Sequence, residues 1–308
     1  MVATHNMPQM NLKHQIFGDF DFSCVLSPDF KEDAVREEII APLLRSLGYR
    51  PEGNYKIHRS KALLHPYVMF GSQRRKVNII PDYLISTEEV YRFVLDAKAP
   101  SQNVTSGDNV AQVYSYAIHP DVRAWNYGLC NGRTLALFEV RSIKPKHEYD
   151  LLSLDDATIL DINQKLNPRT IAQNEILDYR LDGGTYLQAV MGIQPDTTMH
   201  FPGVPIVNVA KVEENHYSMS VVTTDLASRE LCFTFDFDAV MLVKLLAIMS
   251  AENASQVRNS LVRQPFRYVE SQAPSFVSIA FCFPRDVQFS TAGEMFVPLQ
   301  VVDFDSVI

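Results

Sequence analysis

Cysteine is scarce and tryptophan nearly absent: the 308 residues include four Cys and one Trp. Cys24, Cys130, Cys232 and Cys282 stand far apart and form no C-x-x-C pair, so neither a disulfide framework nor a zinc knuckle is encoded. Reduced, mostly buried thiols in a cytoplasmic protein are expected. The eight histidines show no metal-ligand spacing. There is no G-x-x-x-x-G-K-[ST] loop, which excludes a P-loop motor within this sequence. Long apolar runs are missing too. The longest, residues 239–249, is too short to cross a bilayer and contains Lys244, so it reads as a core helix and no membrane partner is expected. The polar first fifteen residues do not read as a secretory leader. Neither an internal repeat nor a low-complexity tract occurs.

The formal charge of −8 is at first sight wrong for a nucleic-acid binder, but it is unevenly spread. Residues 1–150 hold 18 Lys and Arg against 17 Asp and Glu, whereas residues 151–308 hold 10 against 19. In the first half the basic residues gather at Lys56, His58, Arg59 and Lys61 and again at Arg74, Arg75 and Lys76. A local patch of this kind is enough to engage phosphates, in a salt-dependent way. The plainer alternative is a set of solvated loop charges. The acidic second half would repel DNA and suits contact with protein.

What is present in that first half is a pair of acids at strand ends. Residues 77–85 and 91–98 are β-branched and aromatic runs separated by Ser86-Thr87-Glu88-Glu89, the pattern of a hairpin. One run contains Pro81-Asp82 and the other ends in Asp96-Ala97-Lys98. Pairing would bring Asp82 close to Asp96, and Lys98 shares a strand face with Asp96 because side chains alternate. Two carboxylates converging beside an ammonium suit a hydrated divalent cation with positions left open for phosphate and water.

Two helices flank these strands in sequence. Residues 27–48 carry a stripe of Val35, Ile39, Ile40, Leu43 and Leu47, with Ser27 or Asp29 to cap the start, Asp29 and Glu32 as a capping box, and Gly48 to end it. Helical stepping places Glu32 and Arg36 within the stripe and Glu37 and Glu38 outside it. Pro42 is expected to disturb the helix. The plain reading of Glu32 and Arg36 is an i, i+4 ion pair worth a few tenths of a kcal/mol, ~0.3. The second helix, residues 108–118, starts at Asp108 and has an apolar stripe of Val110, Val113, Tyr114, Ala117 and Ile118. Gln112 and Tyr116 fall on its opposite side, either as groups that hydrogen-bond a phosphate or metal-bound water or as an ordinary polar face.

This order, an inward Glu on a leading helix, then P-D, D-A-K and Q-x-x-x-Y, resembles the PD-(D/E)xK nuclease superfamily. It is more narrowly similar to the N-terminal nuclease domain of type I restriction enzyme R subunits, over residues 29–140. Glu32, Arg36, Ile40, Pro42, Leu43, Leu44, Leu47 and Gly48 match that domain's helix, and residues 127–138 its strand, N-G turn and strand. The resemblance implies a Mg²⁺ (or Mn²⁺) site on Asp82, Asp96 and the Ala97 carbonyl, with Glu32 as a further ligand directly or through water. It implies that Lys98 orients or deprotonates the attacking water, that Arg36 restrains Glu32 and contacts nucleic acid, and that Gln112 and Tyr116 touch the nucleic acid or the water network. The helicase motor that follows this domain in an R subunit has no counterpart here.

The expected fold is α/β: a restriction-endonuclease-like mixed central sheet flanked by helices in residues 1–150, a helical connector at 151–194, and a C-terminal α+β module at 195–308, with residues 195–205 as linker. The expected function is a Mg²⁺-dependent endonuclease for DNA in restriction or antiviral defence, taking a motor or recognition subunit in trans, and a homo-oligomer is expected. Alternatives are an inactive nuclease-fold binding or assembly module and a nuclease for RNA or repair intermediates.

Overall fold

The computed structural model describes residues 11–172, 180–194, 197–270, 274–282, 288–289 and 294–306, and at 64–70, 74–78 and 288–289 the backbone alone. The side chains of Arg74, Arg75 and Lys76 therefore lie outside the described residues. The chain is mixed α/β, with two mixed sheets flanked by helices, and it divides near residue 180 into two compact units.

The first unit opens with α1 (Leu12–Phe17) and a 3₁₀ turn, Phe22–Leu26. The helix after it is composite: α2 (Glu32–Ala34) runs through a π-helical stretch, Val35–Ile40, into α3 (Ala41–Ser46). The wide turn lets the Ala41 amide bond the Arg36 carbonyl, and Pro42, which has no N–H to give, follows where the helix tightens again. The expected side-chain cap is not used: Lys31 is the N-cap, while the Ser27 hydroxyl accepts from the Asp29 amide in a local turn. Gly48, at φ +96°, ends the helix in the left-handed conformation that glycine tolerates.

Six strands follow in one sheet: β1 (Tyr55–Arg59), β4 (Tyr83–Thr87), β5 (Val90–Ala97), β6 (Asn126–Cys130), β7 (Thr134–Glu139) and β8 (His147–Asp150), side by side in that order. β2 (Leu63–Phe70) and β3 (Gln73–Ile79) form a separate hairpin. Only β5 and β6 run parallel, and α4 (Asp108–Ala117) makes the crossover between them. Alternation divides the strands between two cores. Tyr83, Ile85, Phe93, Leu95 and Ala97 face the composite helix, while Leu84, Val94 and Leu129 face α4. The stretch expected as a connector is divided between the units. Leu154, Ile159, Ile162, Leu166 and Ile171, on and just before α5 (Asp156–Leu166) and α6 (Pro168–Ile171), complete the core under the composite helix. Residues 173–179, within the expected helical connector, lie outside the described residues.

In the second unit β9 (Leu181–Asp182) leads into α7 (Gly183–Ala189). The sheet that follows is ordered β10 (Met199–Ile206), β15 (Ser275–Cys282), β18 (Leu299–Ser306), β13 (Glu230–Phe237), β12 (His216–Thr224), β11 (Asn208–Glu213), β14 (Arg267–Val269). Its helices are α8 (Ala239–Ile248) and α9 (Ala251–Leu261), and β16 (Gln288–Phe289) pairs with β17 (Met295–Phe296). Residues 199–205, expected within a linker, are part of β10. The apolar helix α8 is not a core helix: Leu245 and Leu246 are buried, while Val240 and Val243 stay about two-thirds exposed.

The β6–β7 turn holds the end of β6 beside Ala97. Gly132 there has φ +82°, and an added Cβ would lie 3.1 Å from Val25, 3.2 Å from Ile39 and 3.3 Å from Val35. Strain and crowding coincide, so Gly132→Ala should lower unfolding stability by about 2 kcal/mol, read as a lower urea midpoint from the fluorescence of the single tryptophan, Trp125. An unchanged midpoint would show that the turn is not constrained in this way.

Candidate active site at the ends of β4 and β5

The β4–β5 hairpin closes through Glu88 and Glu89, both at positive φ, and its register pairs Tyr83 with Leu95. One step further stand Asp82 and Asp96. Pro81, just before, cannot donate to the ladder. Side chains replace the backbone bonds here: the Asp82 amide donates to Asp96 Oδ1 at 3.1 Å, and the Ala97 amide donates to Asp82 Oδ2 at 2.8 Å. Each carboxylate is thus oriented by the other strand's backbone.

The remaining oxygens meet cations. Lys98 Nζ ion-pairs with Asp96 Oδ2, and both residues are buried. Arg36 reaches Asp82 Oδ1 at 3.5 Å, Glu32 Oε1 at 3.2 Å and Asp33 Oδ1 at 2.7 Å. The backbone of Arg36 is anchored as well, because the Tyr83 hydroxyl donates to its carbonyl at 3.0 Å. Among the described residues the buried Arg36 Nε–H has no partner. Sequence reasoning had assigned Arg36 to Glu32 and to contact with nucleic acid. Its direct bond to Asp82 depends on the hairpin's position, while Asp33 was foreseeable from the i, i+3 spacing.

Burial and the neighbouring Asp96 charge push the Asp82 carboxyl up to about 6, with Glu32 adding to the push and the Ala97 amide and Arg36 opposing it. Glu32 is half-buried and held by Arg36, so it acts on Asp82 by its charge and is not placed against the acid pair.

α4 approaches from the other face, and here the expected helix orientation is corrected. Tyr116 lies in the buried stripe with Val110, Val113 and Ala117, while Tyr114 and Ile118 are exposed. A tyrosine can bury its ring and keep its hydroxyl in use. Exposed Gln112 hydrogen-bonds that hydroxyl, and burial together with the charges of Asp96 and Asp82 pushes it up to about 12, so it remains protonated. The helix begins at Gly107, and Asp108 makes no capping bond.

Each described side chain of the expected basic patch has an internal partner, His58 among them through the Ser86 hydroxyl. Lys56 pairs with Glu89 and Lys61 bonds the Tyr91 hydroxyl. Arg59 lies 3.5 Å from Glu37 and over the Tyr83 ring. Sequence reasoning missed Asn131, a buried residue whose amide donates to the Gln102 carbonyl and shapes the loop after Lys98. The cysteines are free thiols. Cys130 is buried, Cys232 and Cys282 are half-buried and Cys24 is exposed, so the thiols are less covered than the expected mostly buried set.

Among the described residues no group of three or more His, Cys, Asp or Glu is placed to hold a metal. Two carboxylates fixed by backbone amides, each oxygen retaining a lone-pair direction, nonetheless fit a cation that needs few protein ligands and keeps its waters, as Mg²⁺ does. They do not fit a structural zinc site, which takes four Cys, His or acidic ligands.

No known family's sequence profile matches the chain, and no curated protein matches it. Among solved structures, the mitochondrial single-stranded DNA binding protein Rim1 of S. cerevisiae aligns with 36% of this chain and 95% of its own, at 10% identity and a TM-score of 0.19, a level that carries no argument. No described helix is long and apolar enough to cross a membrane.

The raised Asp82 carboxyl ties this site to stability. The folded protein holds that proton more tightly than the unfolded chain, so its contribution is full below about pH 4, falls as pH rises, and is lost above about pH 6. The difference is on the order of 2–3 kcal/mol. Asp82→Asn should remove this slope between pH 4 and 6, measured as the wild-type minus variant unfolding free energy, and equal slopes would show that Asp82 is not perturbed.

Proposed function

We propose that the first unit is a metal-dependent phosphodiesterase acting on nucleic acid, with DNA as its substrate and Mg²⁺ or Mn²⁺ as its cofactor. The observation that carries this reading is the interlocked pair Asp82 and Asp96 with Lys98 on its far oxygen. A site kept only for stability has little reason to bury two facing carboxylates, because ionising both is costly. An ion bound between them offsets that charge.

In this reading Asp82 and Asp96 hold the ion, with the Ala97 carbonyl at the end of β5 as a further oxygen. When bound, the metal supplies Lewis-acid polarisation of the scissile phosphate and a more acidic water. The residues do the positioning. Lys98, held at the site by Asp96, would donate to the attacking water or to a phosphate oxygen. Arg36 keeps Asp82 oriented through their ion pair. Tyr116, protonated and tied to Gln112, supplies a hydroxyl at the Asp96 side. Arg59, over the Tyr83 ring, is a described basic residue that would meet the phosphate backbone in this reading. A role in restriction or antiviral defence, and a motor or recognition subunit in trans, rest on the resemblance to type I R subunits.

The test combines cutting with ion binding. Linear, circular and single-stranded DNA and RNA are incubated with Mg²⁺ or Mn²⁺, beside EDTA, Asp96→Ala and Lys98→Ala. Cleavage should vanish with EDTA and fall at least ~10²-fold in each variant. Mg²⁺ should raise the melting temperature of the wild type but not of Asp96→Ala. No cleavage and no ion-induced shift would sink the proposal, whereas an ion shift without cleavage would indicate a binding or assembly module.

A further inference from the structure

The parallel strands β5 and β6 have two ends. The acid pair lies at the carboxyl end of β5, where Ala97 meets Cys130. At the opposite end is an open cavity of about 370 Å³, large enough for a small ligand, between the β4–β5 turn and the loop that enters β6. The position of Arg92 on its wall is four residues from Asp96, about 13 Å along an extended strand. Nothing in the proposed cleavage chemistry uses this cavity.

Its lining combines ring and charge. Trp125, the chain's one tryptophan, is 55% exposed there, although indole normally seeks cover. Arg92 and Arg123 stand on the wall, each steadied through its Nε, the first by the Thr87 hydroxyl at 3.3 Å and the second by the Pro120 carbonyl at 2.8 Å. Arg123 has φ +50°, a left-handed backbone that a turn would more cheaply give to glycine or asparagine. Its amide bonds the His119 carbonyl, which fixes the loop. Of the two acids on the rim, Glu89 is engaged by Lys56, and Asp121 stands near His119. The rim thus offers two anchored guanidinium groups beside an uncovered aromatic face.

We infer that this cavity is a nucleotide-binding site, with the base stacked on Trp125 and the phosphate held by Arg92 and Arg123. A flat aromatic ring carrying an anion matches both features, and stacking with an arginine counter-charge is the general way proteins hold unpaired bases. The nucleotide arrives either free or as part of a single strand. The site stands independently of the cleavage reading, because nothing in it requires a metal or the acid pair.

Trp125 is its own probe. In EDTA, which removes cleavage from the result, its fluorescence is titrated with a twelve-residue oligothymidylate, with thymidine 5′-monophosphate and with inorganic phosphate. Quenching by the oligonucleotide and the mononucleotide, but not by phosphate, is the expected result. Tighter binding of the oligonucleotide by tenfold or more assigns the site to a single strand, and equal affinity assigns it to a free nucleotide. The Arg92→Gln, Arg123→Gln double variant, with an unchanged circular dichroism spectrum, should bind at least tenfold more weakly. By anisotropy of the labelled nucleotide that bound the wild type, Trp125→Ala should lose about tenfold while Trp125→Phe keeps most of the affinity. Absence of quenching by either nucleotide at millimolar concentration, or wild-type affinity in both Trp125→Ala and the arginine variant, would overturn the inference.

Discussion

Two carboxylates are forced together where the β4–β5 ladder ends, and the organisation of the first unit follows from that constraint. Pro81 removes the next backbone donor, so Asp82 and Asp96 take over the cross-strand bonding with their side chains. The result is a fixed, partly desolvated concentration of negative charge. Such a site needs cations, and the fold supplies them from two directions: Lys98 from the same strand and Arg36 from the composite helix. The π-helical stretch matters here because the Arg36 carbonyl serves both the Ala41 amide and the Tyr83 hydroxyl, which ties the helix to the residue next to Asp82.

The two apolar layers explain how this charge is held at the sheet's edge. Alternation on β4 and β5 sends one set of residues under the composite helix and the other under α4. At the carboxyl end of β5 the alternation places Asp96 on the α4 side, where the Tyr116 hydroxyl feels its charge. Crevices outside the carboxyl ends of parallel strands are where open α/β sheets place their chemistry, and β5 beside β6 provides such an end. The Trp125 cavity occupies the other end of the same strand pair, so the two proposed sites are spatially separate.

Much of this was legible in the sequence because it rests on local pattern. The β4–β5 and β6–β7 hairpins, the Asp82–Asp96 juxtaposition and the sharing of a face by Asp96 and Lys98 follow from period-two alternation and short turns. What was not legible depends on tertiary choice. Tyr116 was read as outward because a stripe containing Tyr114 and Ile118 scores as more apolar, yet a tyrosine that can spend its hydroxyl at the site outweighs an isoleucine left in water. The assignment of Lys56 and Lys61 to phosphate failed to foresee Glu89 and Tyr91, which come near only once β1 joins the sheet. Residues 151–194 read as a helical connector, but Leu166 and Ile171 belong to the core shared with the composite helix, a tertiary contact that local pattern does not reveal. α8 read as a core helix from hydropathy alone, which cannot show that only one of its faces has a neighbour.

The central claim is that Asp82 and Asp96 share one buried electrostatic environment that a divalent ion can relieve. Its most direct test is a carbon-detected NMR titration of the aspartate side-chain carboxyls between pH 3 and 8, with and without Mg²⁺, using Asp82→Asn and Asp96→Asn to assign the signals. The account predicts that Asp82 titrates near 6 in the free protein and falls toward the ordinary carboxylate range both in saturating Mg²⁺ and in Asp96→Asn. An Asp82 carboxyl titrating near 3.8 and indifferent to both changes would contradict it.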